Sequence, residues 1–437
     1  MLRGSISPAE WARFDWYGRR VRKFTYTRDP DALDIAMHVY FRLAQLRATP
    51  LLSSLRHLHC PSMRQNDFLI SGVFLFLSPS LQVLELENIS NVEDKLCGTV
   101  LHTLHSDGAS MQKVVLRGQG LSKDSLNLAI SFDHLRGLEL HGMGEALNME
   151  ILERIGSMAS LVELSLDFTE SSVPPLDRDI GFKDLKSFTI TAPIPFIQTF
   201  LPYIGTTTLE AFNIEAPSNP PVDKKEFLTD VVTRWKDSLR RIELVHPCDT
   251  DVAEEIDVTV LAPLLPLRKL THFRLEGYSL ELQDQHITDF ATAWPDIVTL
   301  MLPFIGSGRP RPTIESLRTV AQRCPRLRKL RLPLDTTDLV SFVSTGAPHS
   351  PPHELHTLFV ASADDPWELR DLLHLGRHVD YFFPQLRWVY SYEGNDADRW
   401  IQLHETIQMY QTVRREAAVL ERERIHQVAK QALSLGS

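Results

Sequence analysis

The sequence predicts an α/β solenoid, in which short parallel strands stack one per repeat and helices pack along their outer side. Three observations predict it. A triplet of apolar residues in the pattern apolar-x-x-apolar-x-apolar recurs along most of the chain. From Leu55 onward, successive copies begin 24 to 31 residues apart. The stretches between copies carry helical rather than strand periodicity.

Taken in order, residues 1–20 form a lead-in, residues 21–392 the irregular repeats, and residues 393–437 a helix. The triplets begin with Val21/Phe24/Tyr26, Leu55/Leu58/Cys60, Leu81/Leu84/Leu86, Met111/Val114/Leu116, Leu135/Leu138/Leu140 and Leu161/Leu164/Leu166. Leu185/Phe188/Ile190, Leu209/Phe212/Ile214, Leu239/Ile242/Leu244, Leu270/Phe273/Leu275 and Ile297/Leu300/Leu302 continue them. Leu327/Leu330/Leu332, Leu355/Leu358/Val360 and a degraded Leu386/Val389/Ser391 close the series. The last two positions of each triplet are two residues apart, so they point to one side of a strand. One such face cannot be buried alone, and neighbouring units must stack in parallel to share a core.

Between triplets, Ile151, Leu152, Ile155 and Met158 share one helical face. Such helices are bulkier than strands, which places the strands on the concave side. Pro295 and Pro325 end the outer helices and turn the chain into the next strand; Pro303 and Pro333 end the strands that follow. From Asp396 to Leu435 there is no Pro or Gly, and Leu403, Ile407, Tyr410, Ala417 and Leu420 form a stripe suited to capping the last repeat, with partner binding as the alternative.

The segments "RCPRLRKLRL" and "AWPDIVTLML" resemble the repeats of F-box leucine-rich-repeat proteins, in particular the divergent F-box-like families of mushroom-forming fungi. "EWARFDWYGRRVRKF" resembles the stretch that follows the F-box in such proteins. The resemblance spans roughly residues 10 to 392. It implies a leucine-rich-repeat solenoid acting as the substrate receptor of an SCF-type cullin ubiquitin ligase. Two features depart from that pattern. Most repeats lack the Asn that follows the third Leu in regular repeats, so the superhelix is expected to be irregular. Nothing before Trp11 resembles an F-box, so a Skp-family adaptor is expected to bind only if an F-box is supplied upstream. The expectation from this is a truncated gene model or a chain that works without a docking module. A scaffolding repeat protein with no ligase role is the alternative.

Composition narrows the classes further. The chain is 43% hydrophobic and 23% charged with a net charge of −10, which suits a soluble globular protein and speaks against nucleic acid. No apolar run reaches the roughly 18 residues of a membrane span, and the N-terminus lacks a secretory core. Four scattered cysteines (Cys60, Cys97, Cys248, Cys324) read as reduced, in a cytoplasmic or nuclear protein. No catalytic constellation is found, and no cofactor is expected. His57 and His59 form an HxH beside Cys60 and face outward in the strand reading, but no second ligand pair lies at zinc-like spacing, so no metal is assigned. "HETIQ" has Gln408 where a zinc-protease helix needs its second His. Asp249, Asp251, Glu254, Glu255 and Asp257 read as a solvated insertion.

Function is therefore expected on the outward side of the strands. The central outward residues run Glu85, Val115, Glu139, Ser165, Thr189, Asn213 and Glu243, then Arg274, Met301, Arg331, Phe359 and Tyr390. The first half is acidic and polar. The second half is basic and aromatic, with Lys329 beside Arg331 and with Trp388 and Tyr392 beside Tyr390. Interface cores favour Tyr, Trp, Phe, Met and Arg. Met301, Lys329, Arg331, Phe359, Trp388 and Tyr390 are the predicted partner-binding residues, facing an extended peptide or a helix of acidic or phosphorylated character. The competing expectation is that the C-terminal helix or a long loop covers them.

Overall fold

The computed structural model describes residues 6–26, 37–63, 70–169, 180–217, 223–247, 253–303, 311–336, 353–361, 368–391 and 397–435. Two compact units are present, Met1–Val222 and Asp223–Ser437. Each is a mixed α/β fold on parallel strands.

The first unit opens on α1 (Pro8–Gly18), inside the expected lead-in. A capping box starts it: the Glu10 N–H donates to Ser7 Oγ, and the Ser7 N–H donates to the Glu10 carboxylate at 2.7 Å. Then follow β1 (Lys23–Thr25), α2 (Met37–Leu46), β2 (His57–Cys60), a 3₁₀ helix (Ile70–Phe76) and β3 (Val83–Ile89). Next come α3 (Asp94–Ser106), β4 (Lys113–Gly118), α4 (Lys123–Ala129), β5 (Gly137–His141), α5 (Met149–Gly156) and β6 (Glu163–Asp167). The unit ends with β7 (Ser187–Thr191), α6 (Ile194–Phe200) and β8 (Ala211–Glu215).

These strands pair in chain order, every pair parallel, with Phe24, Leu58, Leu84, Val114, Leu138, Leu164, Phe188 and Phe212 opposite one another. Where Phe replaces Leu the register stacks the rings: Phe188 and Phe212 lie 5.9 Å apart at 9°.

The second unit comprises α7 (Lys224–Trp235), β9 (Arg241–Val245), β10 (Glu254–Ile256), a 3₁₀ helix (Val258–Leu264), β11 (His272–Glu276), β12 (Tyr278–Leu280) and α8 (Asp284–Ala293). It continues with β13 (Thr299–Met301), α9 (Ile314–Arg323), β14 (Lys329–Pro333), β15 (Thr357–Ala361), α10 (Leu369–Phe382), β16 (Trp388–Ser391) and α11 (Ala397–Leu435). Strands β9, β11, β13, β14, β15 and β16 pair in that order, again all parallel, and Ile242, Phe273, Leu300, Leu330, Leu358 and Val389 stand opposite one another.

Every apolar triplet member from Leu55 to Val389 is buried. Strand entry is the same from unit to unit. One carbonyl accepts two consecutive N–H groups of the next strand: Arg56 from Gln82 and Val83, Arg136 from Val162 and Glu163, Val298 from Arg328 and Lys329.

Helix ends recur as well. α8, α9 and α10 stop at Trp294, Cys324 and Phe383, whose backbones agree within a few degrees (φ/ψ −124/66, −119/64 and −127/67), and each is followed by Pro. The expected role of Pro295 and Pro325 is therefore seen, with Pro384 as a third instance. The proline forces the preceding residue out of the helical region. That residue's side chain turns inward and is fully buried.

Two expectations are corrected. The acidic stretch is no simple solvated insertion, because Glu254–Ile256 is a strand that pairs in parallel with β12. Asp257 caps the 3₁₀ helix by accepting from the Thr259 N–H at 2.7 Å, and Glu254 is paired with Lys224. Asp249 and Asp251 lie outside the described residues, as does Cys248. The α11 stripe also divides. Leu403 and Ile407 are buried and Tyr410 half-buried, but Ala417 and Leu420 are exposed, as are all side chains from Thr412 to Val428. α11 packs closely on α10 at Gly376, where a Cβ would meet Thr406 Cγ2 at 2.9 Å.

Candidate functional site: an aromatic stack at the β16 edge

The register places Met301, Arg331, Phe359 and Tyr390 side by side on β13 to β16, and Thr299, Lys329, Thr357 and Trp388 beside them. The register thus brings these positions together on neighbouring strands. Strands about 4.8 Å apart bring in-register rings into stacking contact. Phe359 and Tyr390 stack at 5.2 Å, Tyr390 and Trp388 at 6.1 Å, and Trp388 meets His404 of α11 at 5.8 Å and 6°. Four rings thus form one continuous stack.

α11 does not bury it: Trp388 remains 53% and Tyr390 43% exposed. Phe359 and Met301 are half-buried, and Lys329 is exposed. Tyr392 lies outside the described residues.

Arg331 behaves differently from the expectation. It is 4% exposed, and its guanidinium donates through Nε to the Leu302 carbonyl at 2.9 Å and through an Nη to the Leu275 carbonyl at 2.7 Å. The other Nη lies 3.6 Å from Glu276. Ladder chemistry explains why. In this register Thr299 N–H bonds Thr271 O and Lys329 N–H bonds Val298 O, and the pattern repeats every second residue. Leu275 O would thus receive the N–H of residue 303, and Leu302 O that of residue 333. Both are proline and have no N–H to give. Arg331 supplies the two missing donors. It holds the sheet together, so its assignment to an open partner-binding surface is corrected.

The edge past β16 is occupied by α11 side chains that the sequence reading did not single out. Gln411 donates to the Leu386 carbonyl at 2.8 Å, and Gln408 lies 3.5 Å from the Leu386 and Arg387 carbonyls. Trp388, His404, Gln408, Gln411, Arg387, Arg414 and Arg415 border a cavity of about 670 Å³. Arg414 is held in a two-pronged pair with Asp380 at 2.7 and 2.8 Å. Burial raises the Asp380 carboxyl pKa and Arg414 pulls it back. His404, Gln408, Gln411 and Arg415 recur at helical spacing, so that face was readable from "HETIQMYQTVRR".

The site offers exposed rings beside a basic rim. Among the described residues it presents no nucleophile paired with a base. No family model and no curated protein matches the chain.

Proposed function

We propose that the chain is a leucine-rich-repeat solenoid that recognises a protein partner, and that it serves as the substrate-receptor part of an SCF-type ubiquitin ligase. The repeat reading is supported by parallel strands in chain order, the shared two-donor strand entry and the recurrent helix-end proline. The recognition reading rests on one observation, the exposed Trp388–Tyr390–Phe359 stack on a sheet face. Stacked aromatics left in water are costly unless a partner covers them, and such side chains dominate interface energetics. Lys329 and Arg387, both exposed, favour an acidic or phosphorylated segment beside the rings. The ligase role comes from the resemblance of the repeats.

Its test is the fate of the partner. Proteins labelled by proximity to the intact chain and lost with Trp388→Ala/Tyr390→Ala define the bound set. A ligase receptor predicts that these proteins accumulate when the chain is depleted and are stabilised by proteasome inhibition. Unchanged levels with intact binding would make the chain a scaffold instead.

A further inference from the structure

The structure assigns a divalent-metal site to the outward face of β2 and β3, with His59, Glu85 and Glu87 as donors, His57 beside them and Zn²⁺ as the cation. His57 and His59 alternate on β2 with the buried Leu58 and Cys60, so both imidazoles leave the core on one side. The register sets His59 opposite Glu85, with Glu87 two residues further on the same side. The second ligand pair therefore comes from the neighbouring strand, where spacing along the chain does not reveal it.

His59 Nε2 lies 3.5 Å from a Glu87 oxygen and 3.9 Å from a Glu85 oxygen, while His57 Nε2 lies 2.9 Å from the other Glu85 oxygen. Bonds of about 2.0–2.2 Å to a tetrahedral zinc separate neighbouring donors by roughly 3.3–3.5 Å. The ligand atoms of His59, Glu85 and Glu87 all lie within 4.8 Å of one another, close to that spacing.

His59 Nε2 is shielded from solvent and makes no hydrogen bond, its carboxylate neighbours standing at 3.5 and 3.9 Å, whereas His57 is already paired with Glu85 at 2.9 Å. A buried ring nitrogen without a partner is costly, and a metal would satisfy it.

Two cations face the group from adjacent strands. Lys23 of β1 acts on His57, and Arg117 of β4 approaches Glu87 at 3.6 Å while donating to Glu139 at 3.1 Å. Arg117 competes with a metal for Glu87 and keeps half of its pairing when it yields.

The test is Zn²⁺ titration of the chelator-stripped full chain by calorimetry at pH 7.5, with Co²⁺ absorption as a second readout. One equivalent should bind, and Co²⁺ should give the intense visible bands of a four-coordinate site. His59→Ala and Glu87→Gln should each weaken Zn²⁺ by more than the roughly 10–100-fold typical of an outer-shell loss. Arg117→Gln should tighten it, which a purely structural ion pair would not do. His102→Ala, an exposed histidine on α3, should leave it unchanged. Should His59→Ala fail to fold, Glu87→Gln and Arg117→Gln carry the comparison. No saturable uptake, or uptake indifferent to these variants, would overturn the assignment and leave His57–Glu85 as an ordinary pair.

Discussion

Replacing Arg331 with Met removes five donors while keeping the apolar stem. In the folded chain the change strands two buried carbonyls, Leu275 O and Leu302 O, whose ladder partners are Pro303 and Pro333. Each buried acceptor left unpaired costs about 1–3 kcal/mol, so the variant should lose about 2–6 kcal/mol. The loss of charge adds little, because Glu276 keeps its pair with Arg274 Nε at 2.6 Å. Arg331→Lys should fall between the two, since one ammonium cannot span both oxygens. Urea unfolding at neutral pH measures this as a shift in midpoint with unchanged slope. A double variant that also restores an N–H, Arg331→Met with Pro303→Ala, should recover part of the loss. If Arg331→Met stays within about 0.5 kcal/mol of the parent, the range expected of an ordinary surface change, the substitute-donor account is wrong.

Other consequences are measurable by ordinary means. Leu330→Ala, at a fully buried register position, should cost about 2–5 kcal/mol in the same unfolding experiment. Burial, seconded by Arg117, lowers the His141 pKa below its usual value. The unfolded chain therefore binds the extra proton first, and stability should fall as pH drops through about 6.5. His141→Gln should flatten that melting-temperature slope between pH 7.5 and 5.5. Burial pushes the Cys60, Cys97 and Cys324 thiols up to about 12. Peptide mapping after alkylation at pH 8 should find these three unmodified in the native chain and modified after denaturation.

The strand register was legible because its signal is redundant: one slip would turn every triplet outward, and the alternation in "LRKLRL" or "LELEN" admits only one inward face. The outward residues of each unit, Glu85 to Asn213 in the first and Glu243 to Tyr390 in the second, followed from the same alternation. The helix-end prolines were legible too, since proline acts on its immediate neighbour.

What escaped had its cause across strands or in a short local motif. Arg331 looked exposed because its position is outward. Its burial follows from prolines on its own and the preceding strand, which matter only once the ladder is drawn. Glu85 and Glu87 are 26 to 30 residues from the HxH, and only parallel register brings them to it. α1 was within reach, since Ser7-Pro8-Ala9-Glu10 is a capping box with proline at the first helical position. The exposure of Leu420 was not, because helical periodicity marks an apolar face without saying where its partner ends.

Site-specific photo-crosslinking decides where the partner sits. A benzophenone side chain is placed at Tyr390, at Leu420 on the exposed part of α11, and at Ser157 after α5, with irradiation in extracts of the native cell. Recognition through the aromatic stack predicts a discrete adduct from position 390 that Trp388→Ala abolishes, and none from 420 or 157. An adduct from 420 alone, or one at 390 indifferent to Trp388, would contradict it.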